Sequence, residues 1–102
     1  MDREDVLFLG KRFRVARAVQ VTSDGAEHVK EIVRHPGAVA ILPLAADGRI
    51  VFIENYRISV ERRLLELPAG TREPDEDPEQ TAHRELVEET GYRAGRMRLL
   101  AT

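Results

Sequence analysis

The punctuation of residues 77–91 constrains the fold more than any other feature of the chain. Asp77 is a good N-cap, Pro78 takes the first helical position and Gln80 stands three residues after the cap. Together they spell a capping box with proline at its preferred place. Gly91 suits the left-handed position just past a helix end, and residues 78–90 hold no glycine and no second proline. The spacing therefore predicts one helix over 78–90. On it Glu85, Glu88 and Glu89 lie at i, i+3 and i+4 and share a face, with Thr81 on the same side. Ala82 and Leu86 mark an adjoining face that can be buried. Like charges so close repel by a few tenths of a kcal/mol per pair, and a helix needing only solubility would interleave lysine. An oxygen-rich acidic face suits a hard divalent cation. The alternative is a solvated acidic face.

The rest of the chain reads mostly as strand and turn. Residues 5–21 alternate imperfectly between apolar and basic types and break near Gly10. Thr22-Ser23-Asp24-Gly25 is a turn, and residues 27–34 fit strand or helix by alternation, with the turn favouring a hairpin partner. Residues 38–45 are nearly all apolar, which predicts a central strand buried on both faces and interrupted at Pro43. Asp47-Gly48 is a second turn, with residues 49–56 as its return strand. Residues 58–63 read as loop, 64–67 as a short strand and 96–102 as the start of another.

Composition removes several classes of function. A chain of 102 residues holds one domain at most. The net charge of −2 argues against a nucleic-acid backbone binder. With no cysteine there is no disulfide, thiolate metal site or cysteine nucleophile. The first residues do not read as a signal peptide and no run approaches the roughly 20 apolar residues of a membrane span, so a cytoplasmic protein is expected. His28, His35 and His83 share no metal-ligand spacing, and His83 lies about 160° around the helix from Glu85. Ser23 and Ser59 lack the histidine and acid a nucleophile needs.

The wider spacing adds a resemblance. Gly70, five residues, Glu76, seven residues, Arg84-Glu85-Leu86, one residue, Glu88-Glu89, one residue, Gly91 and Tyr92 resemble the Nudix box, the signature of the Nudix hydrolases. Every fixed glycine, glutamate and arginine matches; Tyr92 stands where an aliphatic residue is usual. Glu66-Leu67-Pro68-Ala69-Gly70 and the earlier Asn55-Tyr56-Arg57 resemble the ADP-ribose pyrophosphatase branch, with Asn55 in place of the usual glutamine. The resemblance implies an α+β fold, a Nudix-type α/β/α sandwich with a mixed sheet. It implies a single domain over 1–102: strands in 1–35 that can form a dimer, then the first part of the core in 36–102 with the box at 70–92. The family fold continues past the box, so the chain is expected to be truncated after the box helix, either cut short or completed by a second chain.

By the same resemblance the chain would hydrolyse the pyrophosphate bond of ADP-ribose or a related nucleoside diphosphate sugar, with Mg²⁺ as cofactor and Mn²⁺ as an alternative. Glu85 and Glu89 would be the main metal ligands, Glu88 a third ligand or an acid/base, and the Ala69 carbonyl a further ligand. Arg84 would order the carboxylates, with Glu76 as a partner. Arg57 would contact substrate phosphate, Glu66 would face substrate or the metal shell, and Glu73 would add to the site from the loop. A homodimer is implied as well. The competing expectation is a Nudix-like binding or assembly module, or an inactive fragment, that holds metal without turnover.

Overall fold

The computed structural model describes residues 2–102. They form two compact units, one running to Pro36 and the other from Gly37 to Thr102.

The first unit is an antiparallel sheet of β1 (Arg3–Leu9), β2 (Arg14–Val21) and β3 (Glu27–Arg34), in that order. The Asp-Gly turn works as its residue types predict. The Asp24 carboxylate accepts from the Ala26 N–H at 3.1 Å and from the Thr22 hydroxyl, and Gly25 takes φ 84°. This turn settles 27–34 as strand. A bulge between Val6 and Phe8 shifts the register of β1. Beyond it, Phe8, Val15 and Val33 stand side by side in one cross-strand row, and Val19 faces Val29. Directly opposed residues share a face, so these side chains make an apolar row, with Phe8 and Val33 more than half exposed. Ion pairs cross the strands, from Arg34 and Arg14 to Glu4 and from Arg17 to Glu31.

The second unit holds β4 (Ala38–Ala40), β5 (Ile53–Arg57), β6 (Arg62–Glu66), β7 (Ala69–Thr71) and the helix α1 (Pro78–Thr90). β4 pairs with β7 and β5 with β6, both antiparallel. This strand-and-helix arrangement is the α+β class expected. The helix begins as its sequence dictates: Asp77 accepts from the Gln80 N–H and Gln80 accepts from the Asp77 N–H, both at 2.9 Å. It ends with the Gly91 N–H on the Val87 carbonyl, and the Thr90 hydroxyl bridges the Leu86 carbonyl and the Tyr92 N–H. Its buried stripe packs on β4 and β7. Ile41, Ala82 and Leu86 form the core there, joined by Val39, Ala94 and Met97. Fully burying a side chain such as Leu86 contributes about 1.5–3 kcal/mol.

Four local expectations are corrected. The apolar run 38–45 is not one buried strand. β4 ends at Ala40, and Leu42 and Leu44 are exposed. Pro43 has no N–H to continue the ladder, and its carbonyl instead accepts the Val51 N–H at 3.1 Å, which folds the run into a narrow hairpin closed by the Leu44–Ile50 bridge. The return segment therefore divides: 49–51 complete this hairpin, while β5 starts at Ile53 and pairs with β6. The loop expected over 58–63 is shorter, since β6 already begins at Arg62. Residues 96–102 form no strand. Among the described residues no helix is long and apolar enough to cross a membrane.

Candidate active site

Arg84 is the centre from which the site is built. It lies in the second turn of α1, pointing at the loop between β7 and the helix. Its guanidinium grips both oxygens of Glu76, Nε to Oε2 at 2.6 Å and Nη2 to Oε1 at 2.8 Å. A forked, charge-assisted pair of this kind is roughly twice as strong as neutral hydrogen bonds. The remaining donors reach Glu85 at 2.8 Å, Glu88 at 3.2 Å and the Thr71 carbonyl at 3.2 Å. Glu73 stands at the limit of ion pairing, 4.0 Å away. One cation thus offsets the repulsion of Glu85 and Glu88 on the helix face.

Glu76 is held as firmly as Arg84. Besides the guanidinium, its carboxylate accepts the buried Thr81 hydroxyl at 2.9 Å and the Glu73 N–H at 3.0 Å. These donors favour the charged form, the Arg84 contact most, and bring the Glu76 carboxyl down to about 2. The same pairing raises the pKa of Arg84.

Glu85 and Glu89 project one turn apart toward β7. The Glu85 carboxylate lies directly against Gly70, where an added Cβ would come within 2.1 Å of its Cδ. Gly70 is therefore required by close approach. Glu89 turns from Arg84 and accepts the Ala69 N–H at 3.1 Å. Burial, and after it the negative charge of Glu85, push the Glu89 carboxyl above its usual range, while the Ala69 N–H works against the shift. The Ala69 backbone thus meets the site through its N–H.

Arg57 on β5 and Glu66 on β6 meet through their side chains, although the register sets Arg57 opposite Arg62 and Glu66 opposite Ile53. Glu66 accepts from Arg57 Nε at 2.8 Å and from Nη2, and from the Asn55 amide at 3.2 Å. The Arg57 fork holds the Glu66 carboxyl below its usual range, and Glu66 in turn raises Arg57. The positive charge of Arg57 also acts on Glu89. A cleft of about 420 Å³ opens beside Glu89, lined by residues 51–55 and Thr90.

Two groups of site residues emerge: Glu73, Glu76, Arg84, Glu85 and Glu88 in one network, and Arg57 with Glu66 on the hairpin, with Glu89 and Ala69 between their fields. His83 pairs loosely with Glu79, at 3.7 Å, away from the acidic face. Sequence reasoning gave Thr81 a place on this face but no role. Its signal was a polar residue beside the buried Ala82, a hydroxyl that helix burial leaves short of partners unless a neighbour accepts. Arg72, which grips the Glu76 carbonyl, had no signal in the spacing.

A NUDIX domain profile matches residues 33–102, more than half of the chain. The chain belongs to the Nudix family. The Nudix chain is 47% identical over 74 residues to an ADP-ribose pyrophosphatase of Bacillus subtilis (strain 168), covering 72% of this chain and 40% of that protein. It is 48% identical over 77 residues to a methanol dehydrogenase activator of Bacillus methanolicus, covering 76% and 42%. Its fold matches the crystal structure of an ADP compounds hydrolase with a TM-score of 0.70 at 29% identity, over 92% of this chain and 51% of that one. The Nudix chain thus spans about two-fifths to half the length of these proteins.

Among the described residues no three histidine or acidic side chains are arranged to hold a metal ion between them. The donor set still fits a hard divalent cation. Glu85 and Glu89 are adjacent carboxylates whose mutual repulsion a cation would relieve, and Gly70 leaves the space that Glu85 occupies.

Proposed function

We propose that this Nudix chain carries the catalytic face of a hydrolase that cleaves the pyrophosphate bond of ADP-ribose or a related nucleoside diphosphate sugar. The products are AMP, or another nucleoside monophosphate, and a sugar phosphate. The observation that carries the reading is the Glu85–Glu89 carboxylate pair seated against Gly70 and Ala69, beside an open cleft. The likeness to a named ADP-ribose pyrophosphatase supports the substrate class.

Glu85 and Glu89 would hold Mg²⁺, or Mn²⁺, with Glu88 and the Ala69 carbonyl completing the shell. A divalent ion there supplies charge neutralisation for the phosphates and acidifies water near neutral pH. Arg84 keeps Glu85 and Glu88 at fixed positions through its grip on Glu76. Arg57 meets substrate phosphate, which suits a permanent guanidinium charge. Glu66 acts by holding Arg57, since its oxygens are engaged by Arg57 and Asn55. Glu73 stays at the rim, where it adds negative charge beside Arg84. The N-terminal strands and the core from residue 36 work as one Nudix domain in the cytoplasm. The exposed apolar row of the first sheet is covered by a second copy in a homodimer.

The test is incubation of the chain with ADP-ribose, with Mg²⁺ and with EDTA, reading AMP and ribose 5-phosphate. Cleavage should require the metal and should fall at least about 100-fold in Glu89→Gln, the scale of losing a group that acts on transition-state charge. An unchanged rate in Glu89→Gln would refute the site assignment. A second reading rests on the likeness to a protein named as an activator: a Nudix module that binds metal and acts on another protein without turnover. Metal binding with no AMP formed would favour it.

A further inference from the structure

We propose that Arg72 is a positioning residue for the box carboxylates, fixing the peptide from which Glu76 reaches Arg84; its bearing on catalysis rests on the hydrolase reading above. The argument begins at the helix start. The capping box orders the chain from Asp77 onward. Glu76 lies one residue before the cap, where no helical hydrogen bond holds its carbonyl. Arg72 supplies that bond twice over. Its Nε and Nη2 both donate to the Glu76 carbonyl, at 3.0 and 2.7 Å. The base of Arg72 is fixed too, since its own N–H donates to the Gly37 carbonyl at 2.9 Å. Gly37 itself takes φ 100°, a backbone conformation that favours glycine.

A planar fork closing on one carbonyl sets the orientation of the Glu76 peptide as well as its position. That orientation matters because the Glu76 carboxylate is the principal anchor of Arg84, and Arg84 carries Glu85 and Glu88. The chain of contacts runs from Arg72 to the Glu76 carbonyl, from the Glu76 carboxylate to Arg84, and from Arg84 to the two helix carboxylates. Arg72 acts on Arg84 through the Glu76 peptide.

The test reads Arg84 directly, by the exchange of its Nε–H proton with water in ¹⁵N-edited NMR of the whole chain, without metal or substrate. The parent chain should protect this proton, and Arg72→Ala should speed its exchange about tenfold or more, with backbone amide dispersion outside residues 70–90 retained. Arg72→Lys keeps one donor for the carbonyl and should fall between the two. In the ADP-ribose assay the same order should appear in kcat, with KM within about twofold. Exchange in Arg72→Ala equal to that of the parent would overturn the proposal. If Arg72→Ala does not fold, Arg72→Lys decides: faster Arg84 exchange in a folded chain supports the role, and unchanged exchange overturns it. Failure to cleave ADP-ribose would remove the hydrolase reading and leave the positioning of Arg84 standing. Unchanged Arg84 exchange would do the reverse.

Discussion

At the scale of single residues, the site depends on a few contacts with little slack. Gly70 shows this best, because a methyl group there would overlap the Glu85 carboxylate. The overlapped atoms are the end of a flexible side chain, so the strain is relieved by moving Glu85 and the fold survives. Gly70→Ala should therefore keep its helical circular dichroism. It should lose metal-dependent cleavage about 100-fold, since displacements near 1 Å at a reacting centre cost that much. Mn²⁺ titration by electron spin resonance should weaken in parallel. Full activity in a folded Gly70→Ala chain would show that Glu85 is not held where the reaction needs it. The glycine, the glutamates and Arg84 were all legible from spacing. Their partners were less so: an arginine four residues before a glutamate suggests a pair, but spacing is silent on whether it also reaches back to a loop.

At the scale of elements, α1 and the loop before it are one unit, joined by Glu76. The pKa of its carboxyl is about 2, against an ordinary 4.5, so the folded chain binds this proton more weakly than the unfolded chain. The stability it contributes is complete above about pH 4.5 and is lost as pH falls toward 2. Glu66, lowered by Arg57, acts in the same direction, whereas Glu89, raised chiefly by burial, acts in the opposite one. The urea midpoint should therefore fall on acidification below pH 4.5. In Glu76→Gln it should start lower at pH 7 and decline less. Equal slopes in the two chains would show that the Arg84 pair does not couple to folding. The helix ends were readable because caps are local chemistry. The short β4 was not readable, because an apolar run looks alike whether it continues as strand or turns at a proline that then accepts a bond from across a hairpin.

At the scale of the whole molecule, the first sheet presents Phe8, Val15 and Val33 in a row, with Phe8 and Val33 largely exposed. Exposed apolar rows of this kind mark contact surfaces. Sedimentation should find a dimer at micromolar concentration, and Val33→Asp should shift it toward monomer while leaving the helix signal unchanged. A chain that is monomeric at every concentration would refute the homodimer. The registers that align this row arise from the bulge between Val6 and Phe8 and from the Asp24 turn. Only the turn has a sequence signature, since a bulge inserts a residue without changing residue types.

What the sequence by itself determined was whatever depends on neighbours in the chain: the capped helix over 78–90, the glutamates sharing its face, the turns at Asp24-Gly25 and Asp47-Gly48, and the box spacing. These rest on backbone geometry and short-range hydrogen bonds, which residue order specifies directly. The tertiary structure alone decided which residues distant in sequence meet. It placed Glu85 against Gly70, brought the Arg57 side chain to Glu66, paired β5 with β6, and closed Arg72 on the Glu76 carbonyl. Such contacts depend on how loops bring elements together, and their partners are chosen by distance, burial and charge in space.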